Sequence, residues 1–341
     1  MGGADRGRDR KAAPTLANVA QLAGVSQITV SRILRNKGPI APDTRARVMS
    51  AVQAIGYVPN RVAGSLASAG SNLMGVVIPS LSNIVFPEVL RGIHEALDES
   101  GFQPVVAVTD YDMDREEVLL RSLLAWKPAA MIIAGFDHTD ATRRMLENSG
   151  IRVAELMDID AAPIDIAVGL SHARAGHATG RHLIERGYRR FGYVGHDWHA
   201  DRRARLRYDG LCQALAEAGL SLVGESVGDD KSSVFAGRDG LGRLLQQSPE
   251  VDVAVFSNDD MAVGGVFHCM GAGIVPKTDL GLFGFNGLEI GQALPVPLST
   301  IRSDRYRIGR LAVEHILDPR ERGDQPRIVD VGFEIVVGGT A

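Results

Sequence analysis

The chain has 341 residues, and 45% of them are hydrophobic, which is enough to bury the cores of two or three domains. Residues 1–70 hold ten basic and three acidic residues, whereas residues 71–341 hold 27 basic and 38 acidic residues. A basic head on an acidic body is typical of a small nucleic-acid-binding module joined to a second domain. No apolar run reaches the ~18 residues that a membrane helix needs, and no signal peptide opens the sequence. We therefore expect a cytosolic protein.

Residues 15–34 have the spacing of two short helices joined by a tight turn, TLANVAQLAGVSQITVSRIL. Gly24 can adopt the positive φ at which the first helix ends, and Ser26 can cap the second helix. In a helix-turn-helix, the second helix enters the major groove of DNA. The outward face of that helix carries side chains able to reach base edges, namely Gln27, Ile28, Thr29 and Arg32.

A third helix is predicted from Pro42 to Ile55, and the segment IGYVPNRVAGSLA follows it. The order and spacing of these motifs resemble the lactose/galactose repressor (LacI/GalR) family from Pro14 onward. The resemblance implies a sequence-specific DNA-binding transcriptional regulator, with an all-α helix-turn-helix head and an α/β core of two lobes with parallel sheets, like that of periplasmic binding proteins. It also implies a near-palindromic DNA operator that a homodimer reads through two half-sites.

The residue types of the second helix suggest a division of roles on DNA. We expect Arg32 to bridge a guanine, Gln27 to pair with an adenine and Ile28 to pack on a thymine methyl group. Contacts to phosphates are expected from Ser26, Thr29, Ser31, Arg35 and Lys37. The predicted DNA-binding set is completed, at the start of the first helix, by Thr15 and Leu16.

The segment after the third helix matches the family's hinge helix, which forms only on DNA. By this resemblance Leu66 is the side chain that wedges into the minor groove, with Asn60 and Ala63 beside it. Gly64 lowers the intrinsic helicity of the segment by about 1 kcal/mol relative to alanine. A plain flexible linker is the alternative interpretation.

From Ser71 onward, strands and helices alternate in two successive series, which indicates two parallel-sheet lobes. The predicted domains are a tail at 1–13, the head at 14–58, the hinge at 59–70 and an effector-binding core at 71–341. Lobe one is expected at about 71–165 and 302–325, and lobe two at about 166–299 and 326–341. The apolar stripe of Val89, Ile93 and Leu97 fits either the core or a dimer interface.

Ligands of such sheets bind beyond the carboxyl ends of the strands, here in the cleft between the lobes. Polar loops follow these strand ends, as a polyhydroxylated ligand requires. Within the family resemblance, Arg207 matches the arginine that holds the effector in many members, whereas Asn286 stands where sugar-binding members often carry an aspartate. The predicted effector-binding residues are Ser80, Asn83, Phe86, Asp158, Arg207, Asn258, Asn286, Ser303 and Arg305.

The change to a neutral Asn286, together with Arg207 and Arg305, predicts a cationic cleft that suits a carboxylate. The segments PSLSNIVFPEVLRGI and VAELMDIDAAPIDIAVG resemble the gluconate-utilisation repressors (GntR of the LacI type). The expected effector is therefore gluconate or a ketogluconate, and its binding is expected to release the operator of sugar-acid catabolism genes. An alternative for Arg305 is an exposed position where it pairs with Asp304 or Asp318.

No pattern in the sequence favours catalysis or a cofactor. Gly271–Thr278 resembles a P-loop, but Pro276 replaces the required glycine and has no N–H for a phosphate. Cys212 and Cys269 lack metal-ligand spacing, and no histidine pair has the spacing of a zinc site. We expect a non-enzymatic regulator without a metal. The remaining alternatives are a sugar- or nucleoside-responsive regulator of the same family and a solute-binding protein.

Overall fold

The computed structural model describes residues 13–34, 38–58, 71–98, 100–198, 201–229, 231–321 and 325–341. The chain divides into two compact units, residues 1–71 and 72–341. Five predicted DNA-binding residues lie outside the described ranges: Arg35, Lys37, Asn60, Ala63 and Leu66. No helix in the described ranges is both long and apolar enough to span a membrane.

The head consists of three helices: α1 (Leu16–Ala23), α2 (Gln27–Leu34) and α3 (Pro42–Ile55). They bury a small common core of Val19, Val30, Ile33 and Val48. Thr15 and Asn18 form a complete capping box at the start of α1. The Asn18 side-chain oxygen accepts from the Thr15 N–H, as an acidic side chain more often does at this position. Gly24 ends α1 with φ +65°, as its position predicts.

The second unit contains two six-stranded sheets with helices on their faces. Its elements, in chain order, are β1 (Leu73–Ile78), α4 (Val85–Leu97), β2 (Gln103–Val108), α5 (Met113–Ala125), β3 (Ala130–Ala134), α6 (Asp140–Glu147), β4 (Arg152–Asp158), β5 (Ile166–Leu170), α7 (His172–Glu185), β6 (Phe191–Gly195), α8 (Arg202–Glu217), β7 (Leu222–Val227), α9 (Val234–Gln247), β8 (Val253–Phe256), α10 (Asp259–Ala272), β9 (Gly281–Asn286), α11 (Glu289–Gln292), β10 (Ser299–Arg302), α12 (Arg305–Leu317), a 3₁₀ turn (Pro319–Glu321), β11 (Arg327–Asp330) and β12 (Glu334–Val336).

The first sheet has the strand order β11-β5-β4-β3-β1-β2, and the second has the order β12-β10-β9-β8-β6-β7. All strand pairs are parallel except β10 with β12. Helix α12 packs on α4, β4 and β5, and α7 packs on α8. The chain therefore passes between the lobes three times: before α7, before α12 and between β11 and β12.

The predicted lobe boundaries are wrong at two strands, because both β5 and β11 belong to lobe one. β5 pairs with β4, and β11 pairs with β5 on its other side. Beside these strands, Arg152 Nε donates to Asp165 at 2.7 Å. The order of elements along the chain does not reveal these pairings.

The stripe of Val89, Ile93 and Leu97 on α4 is core, since each side chain is at most 1% exposed. The same helix packs closely on α12 through glycines. A Cβ on Gly92 would lie 2.1 Å from the Tyr306 carbonyl oxygen, and one on Gly309 would lie 2.1 Å from that of Val89. Backbone contact of this kind leaves no room for a side chain.

Two further helix pairs repeat this arrangement. Between α7 and α8, a Cβ on Gly176 would lie 1.9 Å from the Arg207 carbonyl oxygen, and one on Gly210 would lie 2.1 Å from that of Ala173. Between α9 and α10, the corresponding glycines are Gly237 and Gly264. Each pair fixes two helices at backbone contact, which positions the loops at their ends.

Gly176→Ala is expected to destabilise the core by about 1–3 kcal/mol, because the added methyl group must separate α7 from α8. Gly271→Ala is the matched control, since Gly271 is helical and nothing lies within 4 Å of its Cβ position. That variant should be neutral or up to ~1 kcal/mol more stable. Urea unfolding of both variants measures the difference, and equal midpoints would contradict the packing argument.

Lobe one also buries a histidine between two carboxylates. His138 Nδ1 lies 2.7 Å from Glu116 Oε1, and its Nε2 lies 3.4 Å from Glu155 Oε1. Burial opposes the imidazolium, but the hydrogen bonds and charges of the two carboxylates outweigh it and raise the pKa of His138 to about 9.

Because the pKa of His138 is higher in the folded chain than its ordinary 6.5, the ion pairs contribute fully below pH 6.5 and are lost as pH rises through 9. We expect the free energy of unfolding to fall by roughly 2–3 kcal/mol across that interval. Urea unfolding at a series of pH values, with an NMR titration of the imidazole, measures both quantities. An imidazole that titrates near 6.5 would contradict the assignment.

Candidate functional site

The first candidate site is the exposed face of α2. Ser26 Oγ accepts from the Thr29 N–H at 3.1 Å, which caps the helix as the sequence predicts. Gln27 and Arg32 are exposed, and Ile28 is 73% exposed, which is unusual for a large apolar side chain. Ser31 is half-buried, and Leu16 packs partly on the head core. The first turns of α2 thus present polar and apolar groups to a partner, as recognition of a DNA groove requires.

The second candidate site is a cleft of about 390 Å³ between the lobes. Lobe one contributes the loops after β1, β2 and β3 together with the start of α5, and lobe two contributes the start of α8. The lining residues are Pro79, Thr109, Tyr111, Asp112, Met113, Glu116, Ala134, Gly135, Phe136, Asp137, His138, Asp201, Arg202 and Arg203. Within the described ranges, no group of three or more His, Cys, Asp or Glu side chains could hold a metal ion.

Four of the predicted effector residues lie just behind this lining. Ser80 Oγ accepts from the Asn83 N–H and shapes the loop after β1. Asn83 Nδ2 donates to the Tyr111 hydroxyl at 2.9 Å. The ring of Phe86 lies 5.9 Å from the Arg203 guanidinium. Asp158 accepts from Arg202 Nη1 at 2.6 Å. They support the residues that face the cleft.

Arg207 lies outside this cleft. Its Nη1 donates to His172 Nδ1 at 3.1 Å, its Nη2 donates to the Ser257 carbonyl oxygen at 2.9 Å, and its guanidinium stacks 4.2 Å from the Phe285 ring. His172 is neutral, since burial and the nearby Arg207 hold its pKa well below the usual range. The cavity beside Arg207 measures only about 20 Å³, which is room for about one water molecule.

The other four predicted residues lie near the strand ends of lobe two and serve local structure. Asn258 caps α10, and Ser303 is buried. Arg305 Nε donates to Glu88 at 2.7 Å, and its Nη1 donates to the Asn286 carbonyl oxygen. Arg305 is only 5% exposed, so the alternative of an exposed Arg305 paired with Asp304 or Asp318 is wrong. Its charge is matched by Glu88, so it adds little positive charge to the cleft.

Among the lining residues that were not predicted from the sequence, Asp201, Arg202 and Arg203 form the lobe-two wall of the cleft. Asp201 caps α8 by accepting from the Ala204 N–H at 3.2 Å, and it lies 3.5 Å from His196. Burial opposes its charge, but the nearby Arg203 and His196 hold the pKa of Asp201 far below its usual range. The signal available in the sequence was the run of arginines that opens this helix directly after an aspartate cap.

The two arginines face the cleft differently. Arg202 bridges the lobes, because its Nη1 contacts Asp158 at 2.6 Å and its Nε lies 3.9 Å from Asp137. Arg203 Nε donates to Asp201 at 3.4 Å. Burial disfavours its cation, but Asp201, Tyr111 and Asp158 outweigh burial and raise the pKa of Arg203. Arg203 therefore stays charged at the wall of the cleft.

Comparison with known proteins places both sites in one family. Residues 15–60 match the model for bacterial regulatory proteins of the lacI family. Residues 71–332 match that for periplasmic binding proteins and the sugar-binding domain of the LacI family. The HTH-type transcriptional regulator GntR of Escherichia coli (strain K12) is 35% identical over 97% of this chain and 99% of its own length.

Two further relatives extend the similarity along almost the whole chain. GntR of Pseudomonas aeruginosa is 39% identical over 95% of this chain and 94% of its own length. The crystal structure of a LacI-family transcriptional regulator from Silicibacter pomeroyi is 42% identical, covers 96% of this chain and 99% of its own, and superposes with a TM-score of 0.91. The chain therefore belongs to the LacI family and is a DNA-binding transcriptional regulator.

Proposed function

We propose that this regulator represses sugar-acid catabolism genes and leaves its operator when gluconate or a ketogluconate binds in the cleft. The observation that carries the proposal is the sequence identity of 35–39% with regulators named GntR, which extends over nearly the whole chain. The cleft supports it independently, because two charged arginines line one wall and a guanidinium binds a carboxylate through paired hydrogen bonds.

Because the chain crosses between the lobes three times, we expect ligand binding to change the angle between the lobes. Arg202 of lobe two holds Asp158 of lobe one, and Arg305 of lobe one holds the Asn286 carbonyl oxygen of lobe two. A ligand that contacts both walls can favour one arrangement of the lobes over another. The size of this effect equals the difference between its binding free energies for the two arrangements. A coupling of a few kcal/mol is enough, since each ~1.4 kcal/mol changes operator affinity tenfold.

In the proposed assembly, two chains form a homodimer that places two α2 helices on the half-sites of a near-palindromic operator. The homodimer would present the exposed faces of Gln27, Ile28 and Arg32 to successive base pairs. Neither a cofactor nor a metal takes part in this scheme, and the small sugar acid acts only as a ligand.

Ile28→Gln is expected to change the preferred base at one operator position, because an amide that pairs with adenine replaces a methyl-contacting side chain. The slope of log affinity against log salt should stay the same, since no phosphate contact changes. Binding to a panel of single-base operator variants measures the first effect and a salt titration measures the second. An unchanged base preference would show that Ile28 does not contact a base.

Calorimetry with the purified chain should give heat with gluconate or a ketogluconate. Ribose and galactose should give none, because a neutral sugar leaves the arginines of the cleft without an anionic partner. The sugar acid should also lower the affinity for operator DNA at least tenfold, as fluorescence anisotropy of a labelled duplex would show. The absence of heat with every aldonate would remove the proposed effector.

A further inference from the structure

Resting on the operator recognition by α2 proposed above, we propose that Gly38 is a positioning residue that sets base specificity through Arg32. Gly38 lies between α2 and α3, outside the set of residues expected to touch DNA. Because it has no side chain, it leaves open the space that the Arg32 guanidinium occupies. The effector cleft is not involved.

The Arg32 guanidinium lies directly against the backbone of Gly38. A Cβ built on Gly38 would lie 2.4 Å from Arg32 Nη2 and 3.5 Å from Arg32 Cζ, and the first distance is shorter than real Cβ atoms show. Arg32 belongs to the last turn of α2, where a cation is favoured because the helix dipole is negative at that end. The guanidinium therefore rests at a place that only a glycine leaves open.

The backbone that supports Arg32 is held by its neighbours in the loop. Gly38 adopts φ +79°, a conformation that is rare for residues with a side chain. The ring of Pro39 fixes the φ of the next residue, and Ile40 packs on the head core. A long side chain that rests on a fixed backbone loses less freedom when it binds. Gly38 thus prepares Arg32 for contact with DNA.

A side chain at residue 38 would displace the guanidinium while the head core stays intact. The atom nearest to the built Cβ is the far end of the long, exposed Arg32 side chain, which can swing aside at little cost to folding. The paired hydrogen bonds of an arginine to guanine O6 and N7 require one direction of approach. Displacement of the guanidinium therefore reduces its discrimination among bases.

The effect should be confined to one operator position. Arg32 lies four residues after Ile28, which corresponds to about 6 Å along the helix axis. The two side chains are therefore expected to face different base pairs. Loss of the space at Gly38 should weaken the base preference at the position that Arg32 contacts and leave that at the position of Ile28 unchanged.

The test is binding of the full chain, without effector, to single-base variants of the duplex that it selects from a random pool. Arg32→Ala first identifies the base pair that Arg32 contacts. At that position, Gly38→Asn should lower the affinity ratio between the preferred base and the others about fivefold or more, since a paired arginine–guanine contact discriminates by at least this factor. Asparagine is used because it tolerates a positive φ.

Gly56→Asn is the matched control in the same head. Gly56 has φ +63° and nothing within 4 Å of its Cβ position, so this substitution requires a similar positive φ but displaces no side chain. It should leave the base preference at every operator position unchanged. Each affinity ratio compares two duplexes with one protein sample, so any loss of folded protein cancels.

A double-mutant cycle shows whether Gly38 acts through Arg32. In the Arg32→Ala background, Gly38→Asn should cause no further change, because the side chain that it displaces is already absent. A change that persists in that background, or an unchanged preference in Gly38→Asn alone, would overturn the role of Gly38. The same holds if Arg32→Ala alters no base preference. An unmodified chain that selects no particular duplex would instead overturn the proposed operator recognition.

Discussion

The close packing of α7 on α8 positions the lobe-two wall of the cleft. Gly176 and Gly210 allow the two helices to meet at backbone contact, which sets the height and rotation of α8. Its first two turns then place Arg202, Arg203 and Arg207 against three different environments: the carboxylates of lobe one, the open cleft and the interior of lobe two. Three chemically identical side chains thereby acquire a position that bridges the lobes, a position beside Asp201 at the cleft and a buried position beside His172.

Much of the head could be predicted from the sequence because its determinants are local. The turn at Gly24, the Ser26 cap and the apolar spacing of α1 and α2 each depend on residues a few positions apart. The exposure of Ile28 follows from the same helical period. Asn18 completes a capping box because hydrogen-bond geometry, and not charge, is the requirement.

The errors in the core arise from partners distant in sequence. Strand β5 joins lobe one through its pairing with β4, and Arg305 is neutralised by Glu88, which lies more than 200 positions away. The contacts of the Arg207 guanidinium with Phe285 and His172 likewise join residues that lie far apart along the chain. Such pairings are tertiary contacts that spacing along the chain does not encode.

The central claim is that the exposed face of α2 recognises a particular duplex and that a sugar acid in the cleft controls this recognition. Selection of bound duplexes from a random pool, with and without gluconate, tests both parts in one experiment. The account predicts enrichment of one near-palindromic sequence without gluconate and loss of that enrichment when gluconate is added. If no duplex binds more tightly than bulk genomic fragments under either condition, the account is contradicted.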